Sequence, residues 1–208
     1  MKIENIRPNE IETRSFEIIT EILGDKELDP RYEAVIKRCI HTSADFEYAD
    51  SLYFTEGIIE TVQDAIKAGA YIVADTKMAQ AGINKKRIEA FGGKVLCFIG
   101  DEDVASEAKE RGVTRSLVSM EKAAKLDRPV IFAIGNAPTA LLSIYDLVKA
   151  GKLNPAAVIG VPVGFVNVVE SKEKIIELGV PAIVARGRKG GSNIAAAIVN
   201  AIQYKIET

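Results

Sequence analysis

The chain has 208 residues, 48 % of them hydrophobic and 27 % charged, with a formal net charge of −2. This length and composition suit one α/β domain spanning residues 1–208, and the mild acidity argues against the broad basic field by which a nucleic-acid binder gathers its ligand. No apolar run approaches the roughly 18 residues that cross a membrane. The first residues lack the apolar core of a signal peptide, and Cys39 and Cys97 stand far apart in apolar settings, so a cytoplasmic protein with reduced thiols is expected.

Residues 9–23 place Ile11, Ser15, Ile18 and Ile22, with Phe16, Ile19 and Leu23 one position round, at spacings of three and four. That pattern predicts an amphipathic helix ended by Gly24 and Asp25. A second helix is predicted after Asp29 and Pro30, an N-cap and first-turn pair, burying Tyr32, Val35, Ile36, Cys39 and Ile40. His41, the only histidine in the chain, follows that stripe directly. A third helix is predicted over 55–68, with Ile58, Ile59, Val62, Ala65 and Ile66 on one face and Gly69 as its stop. Five short apolar runs follow at 71–74, 95–99, 130–134, 157–160 and 182–185, alternating with helical stretches at about 85–91, 104–125, 139–150, 168–178 and 193–204. Strands apolar on both faces that alternate with helices predict a three-layer α/β/α fold around a mainly parallel sheet of about five strands, preceded by N-terminal helices.

In such a sheet ligands bind beyond the carboxyl ends of the strands, here the segments 75–78, 100–103, 135–139, 160–165 and 186–192. The last gathers Arg186, Arg188 and Lys189 with Gly187, Gly190 and Gly191 before a helix that Ser192 is expected to cap. Backbone amides at a helix start together with three cations make an anion site, although a solvated basic turn would read the same way. Gly-Asn-Ala-Pro-Thr at 135–139 is a similar junction, with Pro138 suited to the first helical turn and its neighbours' amides expected to point outward. Asp-Glu-Asp at 101–103 has the chemistry for magnesium, but a helix cap through Asp103 is the more economical reading.

Several motifs are absent. There is no GxxxxGK[ST], no GxGxxG after the first strand and no GxSxG, so the sequence offers no support for a P-loop, a dinucleotide fold or a nucleophile elbow. Cys39 and His41 lack partners at ligand spacing, so no metal site is expected. Acid–base chemistry near neutrality then falls to His41 or to a strongly shifted carboxylate. A helix end favours a positive charge, and Asp45, Glu47 and Asp50 are expected to act in the same direction; the residue is equally an ordinary C-terminal helix residue.

The segments RSFEII at 14–19, KRCIHTSAD at 37–45, DTKMAQAGI at 75–83, TRS at 114–116, AIGNAPTAL at 133–141, GVPVGFVNVVESKE at 160–173 and ARGRKGGSNIAAAIVNA at 185–201 together resemble the precorrin-8 methylmutase family, in the same order over nearly the whole chain. The resemblance implies an isomerase of cobalamin (vitamin B12) biosynthesis. Its substrate is precorrin-8 or cobalt-precorrin-8, in which a methyl group moves from C11 to C12 to give hydrogenobyrinate or cobyrinate. An internal migration needs no cofactor. The resemblance also implies a homodimer with the site near the interface, His41 as catalytic proton donor, and Ser15 and Arg38 as substrate contacts.

A precorrin carries many acetate and propionate groups, which Arg forks and helix-start amides hold best. Arg14, Arg115, Arg186, Arg188 and Lys189 are therefore candidate clamps, with Thr76, Lys77, Asn136 and Thr139 as further donors and Met78, Val163, Phe165 and Val166 as an apolar floor. A non-catalytic tetrapyrrole carrier would use the same clamps but would not need a titratable group at position 41. A sugar or phosphate enzyme would instead hold phosphate at 186–192.

Overall fold

A computed structural model of the chain describes residues 6–207; residues 1–5 and 208, which the reading of the N-terminus and of the domain limits includes, lie outside the described residues. In chain order the described residues form α1 (Ile11–Leu23), α2 (Glu33–Ser43), the single-turn α3 (Tyr48–Ser51), β1 (Leu52–Phe54), α4 (Ile58–Lys67), β2 (Tyr71–Ala74), α5 (Lys77–Gly82), α6 (Lys85–Ala90), β3 (Lys94–Leu96), α7 (Glu102–Arg111), α8 (Arg115–Ala123), β4 (Val130–Ile134), α9 (Pro138–Lys149), β5 (Ala157–Gly160), α10 (Val168–Leu178), β6 (Ala182–Ala185) and α11 (Ser192–Gln203). The sheet order is β1-β6-β5-β4-β2-β3, with β1 antiparallel to β6 and every other neighbouring pair parallel. None of these helices is long and apolar enough to cross a membrane.

Successive strand residues point to opposite faces, so a strand apolar throughout needs helices on both sides. Ile131, Ala133, Ile159, Ile183 and Ala185 pack with Val35, Ile36, Ile58, Val62, Ile194 and Ile198 of α2, α4 and α11, and α1 rests on α2. On the other face Phe132, Ile134, Val158 and Val184 pack with Met120 of α8, Leu141 and Ile144 of α9 and Ile175 of α10. The three-layer architecture with a mainly parallel sheet is thus as expected from the apolar runs.

Details differ for local reasons. Among the described residues the sheet has six strands, because Leu52–Phe54 adds an antiparallel edge to β6, pairing Leu52 with Ala185; three half-buried residues in a polar stretch give too short an alternation to detect. The long helix expected over 104–125 is two helices. Gly112 adopts φ +64° after α7, and the Thr114 hydroxyl caps α8 by accepting from the Leu117 amide at 3.2 Å. The second helix begins at Glu33. Asp29 does not cap it directly, since its carboxylate accepts from the Arg31 amide at 2.9 Å to form a preceding turn. The third helix starts at Ile58, behind Gly57 at φ +67°. At 75–78 the chain already turns into α5, capped by the Thr76 hydroxyl, which accepts from the Ala79 amide at 3.0 Å.

The loops beyond the strands are packed tightly enough to constrain their sequence. A Cβ on Gly190 would lie 2.1 Å from the Val161 carbonyl oxygen, backbone that cannot swing away. Gly190→Ala is expected to lower stability by about 1–3 kcal/mol, read from urea unfolding midpoints; an unchanged midpoint would show that the 160–165 and 186–191 segments separate freely.

Candidate functional site

His41 is exposed in the last turn of α2, which ends at Ala44 in a left-handed conformation, φ 55°. It therefore lies within the helix, two residues further in than the end of the apolar stripe suggests. With Ser15, Ile18, Ile19, Ile22, Ile40, Ala44 and Phe46 it lines an apolar groove of about 250 Å³ between α1 and the end of α2. Phe16 of α1 stands beside the imidazole, ring centroids 5.4 Å apart, and the Arg38 guanidinium lies 4.9 Å from the same ring. Arg38 is also paired with Glu12 and faces Tyr204 at 5.9 Å, lining a neighbouring depression of about 450 Å³ with Lys37 and Lys205. His41 and Ser15 therefore line one recess, and Phe16 and Arg38 line the other. The Ser15 hydroxyl donates to the Ile11 carbonyl at 2.8 Å, as mid-helix serines commonly do.

The carboxylates after His41 do not stand free to favour its positive charge. Asp45 and Glu47 both bind the Lys189 ammonium, at 2.7 and 2.6 Å, and Asp50 binds Lys26 at 2.5 Å. Lys189 holds the Asp45 carboxyl below the usual carboxylate range, and the two carboxylates raise the pKa of Lys189. This cluster ties the end of α2 to the glycine-rich loop beyond β6, so His41 sits at the carboxyl edge of the sheet, where an α/β fold binds its ligands.

The order β3-β2-β4 places the loops after β2 and β4 side by side, and a buried carboxylate joins them. Asp75 is 2 % exposed and accepts from the amides of Gly135 (2.9 Å), Asn136 (2.8 Å) and Ala137 (2.7 Å). Burial pushes its pKa up, opposed by those three amides. The amides of the 135–139 junction, expected to point outward, are therefore turned inward and spent on Asp75. Pro138 does occupy the first turn of α9. Asn136 stays exposed, while the Thr139 hydroxyl accepts from Thr114 at 3.2 Å. Thr76 meets Ser192 hydroxyl to hydroxyl at 2.7 Å; Ser192 is the first residue of α11 and not its cap, the cap position belonging to Gly191.

Beneath the 186–191 loop lies a second buried charge. Lys172 of α10 is wholly buried and donates to the carbonyls of Gly187 (2.8 Å) and Lys189 (2.9 Å), and burial pushes its pKa down to about 8. Above it, Arg186 lies 3.7 Å from Glu173 and 5.4 Å from the Tyr53 ring centre. Among the three cations of this loop, Arg188 is exposed and its side chain has no partner among the described residues.

The remaining candidates do not converge on His41. Arg14 pairs with Glu17 and Glu21 at 3.3 and 3.0 Å. Arg115 is exposed beside a separate depression formed with Ala105, Ser106, Lys109 and Val113. Lys77 donates to the Cys97 carbonyl at 2.9 Å. Asp101 and Asp103 both bind Lys122, at 2.9 and 2.7 Å; Asp103 makes no cap. Met78, Val163, Phe165 and Val166 are exposed, Phe165 by 84 %.

Sequence reasoning missed Asp75 and Lys172. Each had a signal: Asp75 directly follows a fully apolar strand, and Lys172 falls on the buried stripe of its helix, between Val168 and Ile175. A charge in such a place must find polar partners nearby.

Comparisons with known proteins show what the chain is similar to. The family model described as precorrin-8X methylmutase matches residues 10–205. The cobalt-precorrin-8 methylmutase of Priestia megaterium is 48 % identical over 197 residues, covering 95 % of this chain and 88 % of the relative. That of Salmonella typhimurium is 43 % identical over 206 residues, covering 96 % of each. The crystal structure of precorrin-8x methyl mutase from Thermus thermophilus superposes with a TM-score of 0.84 at 37 % identity, covering 94 % of this chain and 96 % of that one.

Proposed function

The chain belongs to the precorrin-8X methylmutase family, and we propose that in it His41 is the proton donor for the methyl migration. It is an isomerase of cobalamin biosynthesis, moving a methyl group from C11 to C12 of the precorrin-8 macrocycle. A methyl shift across a conjugated ring is eased when the ring is made electron-poor. A proton delivered or shared by an imidazolium at the ring edge does this without any second substrate. The observation that carries the reading is the position of His41, the only histidine, at the mouth of an apolar groove on the carboxyl edge of the sheet.

Other residues fit roles around it. Ser15 shares the groove, and Arg38, held by Glu12 and Phe16, presents a guanidinium in the adjoining recess for a peripheral carboxylate. Arg188 is the loop cation best placed to add a second clamp, because Lys189 is already neutralised by Asp45 and Glu47. Arg14, Arg115, Arg186, Thr76, Asn136 and Thr139 would contribute only through rearrangement or through a second subunit. The exposed Met78, Val163, Phe165 and Val166 suit either the face of the macrocycle or a second copy of the chain, and a homodimer in the cytoplasm is the form proposed.

Mixing the protein with precorrin-8 and, separately, with cobalt-precorrin-8 should convert at least one, read from the change in visible spectrum as the conjugation alters. Arg38→Ala is expected to raise KM about tenfold or more with kcat little changed, the signature of lost substrate binding. Binding of both macrocycles without spectral conversion would instead make the protein a carrier.

A further inference from the structure

We propose that Lys172 is a positioning residue that shapes the 186–191 loop into a carboxylate receptor, by drawing two carbonyls inward so that the amides of Arg188 and Gly190 face outward. The inference rests on the reading of that loop as a clamp for the substrate's acid groups, and it names how the clamp is built.

The geometry follows from the peptide unit. None of the peptide bonds among the described residues is cis. In a trans peptide the carbonyl of one residue and the amide of the next point in opposite directions. Lys172 takes the carbonyls of Gly187 and Lys189, so the amides of Arg188 and Gly190 are directed away from it. Neither amide has a protein acceptor among the described residues, whereas the Gly191 amide is bound to the Val161 carbonyl at 2.8 Å. Two unbonded amides on alternate residues, beside the unpaired Arg188 guanidinium, are donors that a carboxylate's oxygens can take up. Gly187 at φ +76° turns the backbone as the chain leaves β6, a conformation that favours glycine.

The energetics favour a functional reason for a lysine here. Burying an ammonium is costly, and no carboxylate lies within ion-pair distance of it among the described residues. An apolar side chain of similar size would fill the volume at less cost but would leave the two carbonyls without donors. The charge also places a positive potential under the loop, on the side opposite to an arriving anion. The contrast with Asp75 sharpens the point: there a buried anion consumes three amides, while here a buried cation consumes carbonyls and leaves amides available.

The test compares K172M, K172Q and R188Q in steady-state turnover and in visible-spectrum titration with the product hydrogenobyrinate, with circular dichroism as the check on folding. K172M is expected to raise KM and the product Kd about tenfold while kcat stays within about twofold, the split expected of lost uniform binding. K172Q keeps donors without the charge and should fall between the two, about threefold above the parent. R188Q should weaken binding as K172M does. If R188Q weakens binding but folded K172M does not, Lys172 has no positioning role and the proposal is overturned. If R188Q leaves KM and Kd unchanged, the loop is not the clamp and the underlying reading fails first. Should K172M not fold, K172Q decides: an unchanged KM overturns the proposal and a raised one sustains it.

Discussion

His41→Ala is expected to lower kcat by about 10²- to 10⁴-fold, with KM for the macrocycle changed little. The imidazole is exposed and stands against the half-buried Phe16 ring, so the substitution should leave the melting temperature nearly unaltered. Chemistry and stability are therefore separable at this residue. His41→Gln keeps the volume and a hydrogen-bond donor but cannot transfer a proton, so it should be nearly as slow as alanine. Turnover within about threefold of the parent for His41→Gln would sink the proton-donor role and leave only a hydrogen-bonding one. The product titration should still show binding in both variants, because the apolar groove and the Arg38 recess remain.

Asp75→Asn is expected to behave in the opposite way, costing stability first. Its two carboxylate oxygens accept from three amides of the β4–α9 loop in a site closed to water. An asparagine offers one oxygen and turns an N–H₂ group toward amides that are themselves donors. A loss of about 3 kcal/mol follows from breaking such a buried charged set, measured by urea unfolding with the slope unchanged. A loss below about 1 kcal/mol would mean that the loop finds other acceptors. The activity remaining in the folded fraction should be close to normal, since among the described residues the Asp75 carboxylate bonds to the 135–137 amides and Asp75 does not line the His41 groove.

The sheet was legible because β2, β4, β5 and β6 are short apolar runs buried almost throughout, and a strand of that kind leaves few alternatives in an α/β pattern; β3, an edge strand, is buried only at Val95. β1 was not, because its three residues owe their pairing to the far end of the chain. The joint at 112–114 was hidden by helix-forming residues on either side, and only Gly112 and Thr114 mark it. At the candidate site, the His41 segment and the glycine-rich loop could be picked out from residue types, and the family resemblance gave His41 its proposed role. The destination of each charge could not be read, since pairing depends on what tertiary structure brings near. Lys189 looked like a clamp and proved to be bound to Asp45 and Glu47. The 135–137 amides looked available and were taken by a residue some sixty positions earlier in the chain. Sequence distance conceals such partners, and charge balance alone does not name them.

The edge pairing of β1 with β6, together with the packing of α2 on α11, has a consequence for how the molecule comes into being. The stretch from α2 to β1, which carries His41, precedes in the chain both surfaces that seat it, β6 and α11. Contacts of such long range are closed late because the intervening chain must first be ordered. A nascent chain therefore holds every residue that lines the His41 groove, all between positions 15 and 46, before the strand and helix that fix α2 against the sheet have been made.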